Sequence, residues 1–336
     1  MLNPRLKLNP KIFNNDVEQV PIRKGFGQGL VIAGEQNKNV VALCADLTES
    51  TQMNSFAEKF GDRFIEMGIA EQNLVTVASG MSAMGKIPFC SSYAMFSPGR
   101  NWEQIRTTVA YNDRKVIIVG SHAGISVGPD GGTHQALEDM ALMRIIPNMN
   151  VLSPCDALEA KKITIALASN IPIAKKPAYL RLAREKTPII TTEETPFEIG
   201  KMQIYWMPDT GLAEVGIIAT GALTYKAIVA AKELELEGIK TKVMNISSIK
   251  PIDQEEIIKL AKETHGIVTV EEHQIAGGLG SAVAEVLTQN YPIPIEFIGV
   301  KDLFGQSGTP DELIEHYGMG IESIKEAVRK ILKRKK

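Results

Sequence analysis

The sequence predicts an α/β protein made of two doubly wound domains, and three observations carry that prediction. Short continuous apolar runs such as VVALCA (Val40–Ala45), KVIIVG (Lys115–Gly120) and EVGIIATG (Glu214–Gly221) alternate with helical patterns, as expected of buried strands in a mostly parallel sheet. The length of 336 residues corresponds to two domains at roughly 150 residues each. Between the blocks, Glu185 to Gly211 is rich in Thr and Pro (EKTPIITTEETP) and has no sustained periodicity, so it reads as a linker with edge structure.

In chain order, a polar lead-in covers residues 1–19 and a first block covers 20–186. That block reads as helix Pro21–Gln36, strand Val40–Ala45, helix Met53–Phe60, the short strand RFIEM, helix Glu71–Met84 and strand Ile87–Ser91. A helix over Gly99–Tyr111 leads to strand KVIIVG and a Gly-rich loop from His122 to Thr133. Helix Gln135–Arg144, strand MNVLSP, helix Asp156–Ala168 and strand AYLRLA complete the block. After the linker (187–211), the second block (212–336) runs through strand EVGIIATG, helix Ala222–Glu237, strand KTKVMNIS, helix Asp253–Glu263 and strand GIVTVEE. A helix opened by Gly277, Gly278 and Gly280, a strand near Pro294–Gly299 and two closing helices follow. The basic run VRKILKRKK suits the negative pole of the last helix better than a nucleic-acid contact.

Composition narrows the function classes. Lys plus Arg (37) against Asp plus Glu (39) gives a net charge of −2, so no bulk field recruits nucleic acid or a membrane. No apolar stretch approaches the roughly 18 residues that span a bilayer, and the N-terminus carries no signal-type apolar segment. Cys44, Cys90 and Cys155 lie in or beside strand-like runs, which fits buried thiols in a reducing cytoplasm. A soluble cytoplasmic protein is expected.

Ligands of open α/β sheets bind beyond the carboxyl ends of the strands, and several polar clusters fall there. Asp46, Thr48 and Ser50 follow the first strand; helix capping accounts for them on their own. Glu71 opens a helix among Gly68, Ile69 and Ala70, where an apolar setting would perturb its carboxylate. Tyr93 and Phe96 end a strand, as core or as a ligand platform. The segment SHAGISVGPDGGTHQ places His122, Asp130 and His134 among glycines, which suits acid/base work or anion recognition as well as a structural loop. Arg181 and Arg184 flank a strand end and Arg23–Lys24 open the first helix; as surface charge they are unremarked, but converging on one crevice they would bind phosphate. His122 and His134 show no metal-ligand spacing, and GFGQG lies inside a helix pattern, so neither a metal centre nor a nucleotide loop is expected in this chain. GGLG reads as close helix packing or an interface.

Taken in order, these segments resemble the C-terminal half of the transketolase family of thiamine diphosphate enzymes. The resemblance rests on Arg23–Lys24, ADLT-x-S (Ala45–Ser50), GIAEQN (Gly68–Asn73), Tyr93 with Phe96, the His122–Gln135 segment and R-x-x-PNM (Arg144–Met149), and it spans residues 20 to 336. It implies a pyrimidine-binding domain followed by the family's C-terminal domain, and a role in pentose phosphate metabolism. Glu71 is then the carboxylate that bonds N1′ of the cofactor's aminopyrimidine, with Phe96 stacked on the ring, Tyr93 assisting and Asp46 nearby. His122, Asp130 and His134 match residues that bind ketose hydroxyls and assist proton transfers. Arg23, Ser50 and one of Arg181 or Arg184 match the acceptor phosphate site. Gly99 departs from the pattern, because many relatives carry a further aromatic near that position.

Full-length relatives also hold Mg²⁺ and the diphosphate through a GDG…N motif, and this sequence has none. The resemblance therefore implies half an enzyme: the C-terminal subunit of a split transketolase, completed by a separate N-terminal subunit, as two copies of each chain. Three rivals share parts of the pattern. A deoxyxylulose phosphate synthase half would typically carry Arg at His122, and a 2-oxo acid dehydrogenase β subunit would lack THQ and ADLT-x-S. A non-catalytic regulatory or scaffold paralogue would have no need of Glu71, Phe96 and both loop histidines.

Overall fold

The computed structural model describes residues 1–335. The first block contributes strands β1 (Gln19–Pro21), β2 (Val40–Cys44), β3 (Phe64–Glu66), β4 (Ile87–Tyr93), β5 (Ile117–Ser121), β6 (Asn150–Leu152), β7 (Ala178–Arg181) and β8 (Lys186–Pro188). The second adds β9 (Gln203–Trp206), β10 (Val215–Ala219), β11 (Thr241–Asn245), β12 (Ser248–Lys250), β13 (Ile267–Gln274) and β14 (Ile295–Val300). They assemble into a seven-stranded sheet ordered β12-β6-β7-β5-β4-β2-β3 and a five-stranded sheet ordered β14-β13-β10-β11-β9. Strands β2 to β7 pair in parallel, as do β10, β11, β13 and β14; β12 and β9 are antiparallel edges. The predicted α/β class with parallel, helix-covered sheets is what the chain adopts.

Apolar runs buried on both faces explain the central strands: every residue of β2, β5 and β10 is buried. Phe26, Leu30, Phe89 and Ile163 fill one face of the first sheet, and Leu74, Ile105, Ile118 and Met143 belong to the core on the other. Each such side chain contributes about 1.5–3 kcal/mol on leaving water. GFGQG is a contact face, since a Cβ on Gly25 would sit 1.7 Å from the carbonyl oxygen of Ala157 in helix Ala157–Ala168. That helix begins where Asp156 accepts the Glu159 amide at 2.8 Å. The same carboxylate ties in the extended segment through the Ile190 and Thr191 amides at 2.8 and 2.6 Å.

The two blocks interlock more than the sequence suggests. Strand β12 comes from the second block yet closes the edge of the first sheet, because β6 is short and its outer edge needs a partner. The region between the blocks is structured at both ends: β8 pairs with β1, and β9 pairs with β11. The lead-in is also structured. Leu8 and Ile12 are buried among Tyr205, Val215 and Val243, and Asn3 donates its amide to the Tyr205 carbonyl at 3.0 Å. Its apolar residues are isolated among polar ones, so they left no periodic signal.

Two helices differ from expectation. The segment Gln135–Glu138 is non-helical and the helix covers only Asp139–Arg144; the Gln135 side chain is spent on loop carbonyls. Only Trp102–Gln104 of the Gly99–Tyr111 segment is α-helical, and Ile105–Ala110 continues as a wider π turn. The glycines before helix Leu279–Asn290 open a helix terminus whose anion is the protein's own: the Leu279 and Gly280 amides donate to Glu271 at 2.7 and 2.8 Å. Burial nevertheless pushes the Glu271 carboxyl up to about 7. The basic C-terminal run lies on helix Ile321–Arg334, where Arg334 pairs with Glu296 at 2.7 Å; its last residue, Lys336, lies outside the described residues. All three cysteines are free and buried, and among the described residues no helix is long and apolar enough to cross a membrane.

Candidate active site

The candidate residues gather at the carboxyl ends of adjacent parallel strands. In the sheet order β7-β5-β4-β2-β3, Arg181 ends β7, His122 follows β5, Tyr93 ends β4, Asp46 lies two residues past β2 and Glu71 lies beyond β3. Asp46 and His122 turn the chain out of their strands in the left-handed region, with φ of 59° and 57°, one of the costlier backbone states for a non-glycine residue. The Asp46 turn is held by Glu66, which accepts the Asp46 amide at 2.6 Å and the Thr48 hydroxyl at 2.9 Å. Asp46 itself is exposed.

Glu71 is the first residue of helix Glu71–Ala83 and is 3% exposed. Its setting is not the apolar one its neighbours in sequence suggested. Ser92 donates to one carboxylate oxygen at 3.1 Å and the Arg100 guanidinium to the other at 2.9 Å. The Asn101 amide also donates to the Glu71 backbone carbonyl at 2.9 Å, fixing the 97–101 turn against the helix start. Gly99 stands in that turn because a Cβ there would meet the Met95 carbonyl oxygen at 2.0 Å. Beside Glu71, Tyr93 and Phe96 lie nearly parallel with centroids 6.2 Å apart, and the Arg100 guanidinium sits 4.2 Å from the Phe96 centroid.

The two histidines join this aromatic group. Tyr93 stacks on His122 at 4.0 Å between centroids, and Phe96 meets His134 edge-on at 5.4 Å. Arg23 lies 3.0 Å from His122 Nε2. A guanidinium only donates, so Nε2 is the acceptor and the proton sits on Nδ1, which donates to the Ser121 hydroxyl at 2.9 Å. Burial, then the charges of Arg23 and Arg184, lowers the His122 pKa to about 3, so the ring is neutral near pH 7. His134 is half-buried, with Nδ1 3.0 Å from the Thr133 hydroxyl.

The histidine loop is rigid by construction. The Gln135 amide donates to the carbonyls of Ile125, Gly128 and Gln306, and the Ser126 backbone N–H donates to Glu272 at 2.6 Å. Gly124 takes φ 93°, and a Cβ there would strike the Glu272 carboxylate at 2.3 Å. The second block thus shapes the loop carrying the first block's histidines.

The arginines separate into two roles. Arg181 is buried, bonded to Asp139 at 2.8 Å and to the carbonyls of Ala136 and Glu272 at 3.3 and 2.8 Å. The structure therefore does not bring its guanidinium into the crevice. Arg184 is part-exposed, 3.6 Å from Asp130, and close enough to Arg23 for its charge to lower the Arg23 pKa after the larger effect of burial. Arg23 forms no ion pair among the described residues; it donates to the Ser50 carbonyl at 3.1 Å, and its buried Nε has no partner. Two neighbouring cations with an unspent donor have the chemistry to receive an anion.

Sequence reasoning missed Arg100, Ser92 and Glu66. Ser92 and Glu66 lie at the ends of strands and Arg100 follows the Pro98–Gly99 turn, and those positions were their only sequence signal. Among the described residues no cluster of three or more His, Cys, Asp or Glu is placed to hold a metal ion.

Residues 18–189 match the transketolase pyrimidine-binding domain and residues 206–324 the transketolase C-terminal domain. A putative transketolase C-terminal section of Methanocaldococcus jannaschii is 44% identical over 93% of this chain and 96% of its own length. A 6-deoxy-6-sulfo-D-fructose transketolase subunit of a Clostridium species is 36% identical over 96% of this chain and 98% of its own. A solved structure described as a split gene transketolase, an inactive β4 tetramer, superposes with a TM-score of 0.86 at 44% identity, covering 94% of this chain and all of that one. With both of its domains matched in order and near-full-length relatives of the same kind, this chain belongs to the transketolase family.

Proposed function

We propose that the chain is the C-terminal subunit of a split, thiamine diphosphate-dependent transketolase that moves a two-carbon ketol unit between sugar phosphates. The observation that carries the proposal is Glu71: a buried carboxylate at a helix start, beside the Phe96 ring, with a planar cation already seated between them. That cation, the Arg100 guanidinium, is a flat donor in contact with both groups, which supports a niche suited to an aminopyrimidine protonated at N1′. When bound, thiamine diphosphate supplies an electron sink for cleaving and forming the C2–C3 bond of a ketose.

The chain's own residues divide the remaining work. Glu71 accepts the N1′ hydrogen bond and holds the proton at that atom, while Phe96 and Tyr93 orient the ring and exclude water. Asp46 borders the same crevice. His134, Asp130 and His122 face the sugar hydroxyls. His122 does so as a neutral ring fixed by Arg23, a positioning role, which leaves His134 as the better-placed group for moving protons. Arg23 and Arg184, with the Ser50 carbonyl holding Arg23, receive the acceptor phosphate.

A separate N-terminal subunit supplies the diphosphate and Mg²⁺ site in this reading, with two copies of each chain in the active assembly. The relatives named as a C-terminal section and a transketolase subunit support it, as does the inactive state of the related β4 tetramer. Mixing this chain with a transketolase N-terminal section from the same source, thiamine diphosphate and Mg²⁺ should transfer two carbons from xylulose 5-phosphate to ribose 5-phosphate. Neither subunit alone should do so. Full turnover by this chain alone, or condensation of pyruvate with glyceraldehyde 3-phosphate in place of ketol transfer, would reject the proposal.

A further inference from the structure

Arg100 takes part in none of the steps above, yet it occupies the centre of the cofactor niche. Its guanidinium donates to Glu71 Oε2 at 2.9 Å and lies 4.2 Å from the Phe96 centroid, so a planar cation both stacks on the ring and bonds the carboxylate. Its backbone is anchored, because the neighbouring Asn101 side chain is bonded to the Glu71 carbonyl and to the Ser97 hydroxyl. Its side chain is not enclosed: it is 48% exposed, whereas its partner Glu71 is 3% exposed. A group tethered at its base and open along its length can swing out without moving the turn.

We infer that Arg100 is a built-in stand-in for the aminopyrimidine, covering the Phe96 face and bonding Glu71 in the free chain, and that it must leave before the heterocycle docks. The physical need is plain. A buried carboxylate with only the Ser92 hydroxyl as donor would be costly to keep ionised. Guanidinium and N1′-protonated aminopyrimidine are both flat and cationic, and both present N–H donors in the ring plane. Loading is then an exchange of one planar cation for another, and Glu71 is never left uncompensated. The competing arrangement keeps Arg100 on Glu71 permanently, as a positioning residue in the loaded enzyme.

The inference rests on the function proposed above, and a binding measurement separates the two. Thiamine diphosphate with Mg²⁺ is titrated calorimetrically into the complex of this chain with its N-terminal section, using wild type, Arg100→Met, Arg100→Lys and Glu71→Gln. Removing the intramolecular competitor raises the fraction of open niches, so Arg100→Met should bind about fivefold more tightly than wild type. Arg100→Lys, which keeps the charge but not the plane, should fall between them, and it carries the test in the same direction if Arg100→Met does not fold. Unchanged or weaker binding by the Arg100 variants, together with weakened binding in Glu71→Gln, would overturn the stand-in and leave the functional reading intact. Wild-type affinity in Glu71→Gln would overturn both.

Discussion

Arg181 and Arg184 are three residues apart on one strand end, and the structure assigns them opposite fates. In Arg181→Met, Asp139, itself 2% exposed, keeps only the Tyr179 hydroxyl at 2.7 Å, and its other oxygen has no partner even in the intact protein. The carbonyls of Ala136 and Glu272 each lose a donor, at about 1 kcal/mol apiece. Stranding a buried charge adds several kcal/mol, and the apolar methionine recovers about 1–2 kcal/mol. The expected net loss is about 3–5 kcal/mol. Arg184→Met, at a side chain 30% exposed, gives up one bond to the Val127 carbonyl at 2.5 Å and should cost only about 1 kcal/mol. It should instead raise KM for a phosphorylated acceptor about tenfold with kcat little changed. Guanidinium unfolding of the full chains, followed by circular dichroism, reads the first effect; acceptor titration in the reconstituted enzyme reads the second. Adding Asp139→Asn to Arg181→Met should restore part of the loss, because a neutral amide needs no counter-charge. Equal stability of the two single variants, or a KM unchanged in Arg184→Met, would refute the division.

Further outcomes follow from the same geometry. His122 should show the neutral Nδ1–H tautomer in long-range ¹H–¹⁵N spectra and no titration between pH 5 and 8; a midpoint near 6.5 would contradict its pairing with Arg23. Because its folded pKa (about 3) lies below the unfolded value (6.5), the unfolded chain takes up its proton first. This histidine's contribution is therefore complete above pH 6.5 and is lost as pH falls towards 3, and His122→Asn should flatten that part of the stability profile. Gly25→Ala should cost about 3 kcal/mol or abolish soluble expression, since its methyl would overlap the Ala157 carbonyl; a melting temperature within a degree of wild type would show that the helices can part.

Much of this arrangement was legible in the sequence, for a physical reason. Asp46, Glu71, Tyr93 and His122 each stand close beyond an apolar run, and a parallel sheet brings such positions to one edge whatever their separation along the chain. Asp156 was likewise readable as the start of a helix. What stayed hidden depends on contacts between distant segments. Glu272 reads as the end of a strand, and only the packed structure sets it against Ser126. Gln135 continues a helical pattern, but its amide satisfies three loop carbonyls and the helix starts later. Arg100 follows a Pro-Gly turn, and only the docking of that turn on the Glu71 helix start brings its guanidinium to the carboxylate. The environment of Glu71 was misjudged for the same reason, since its neighbours in space differ from its neighbours in sequence.

In the proposed function Glu71 carries the chemistry that this chain brings to the active site. The most direct test is the rate of ketol transfer by Glu71→Gln in the reconstituted complex at saturating thiamine diphosphate and Mg²⁺. Glutamine preserves the size of the side chain and the bond to Ser92 but cannot hold the proton at N1′. The rate should fall by about 10²- to 10⁴-fold with stability nearly unchanged. A Glu71→Gln enzyme that turns over like wild type would contradict that role.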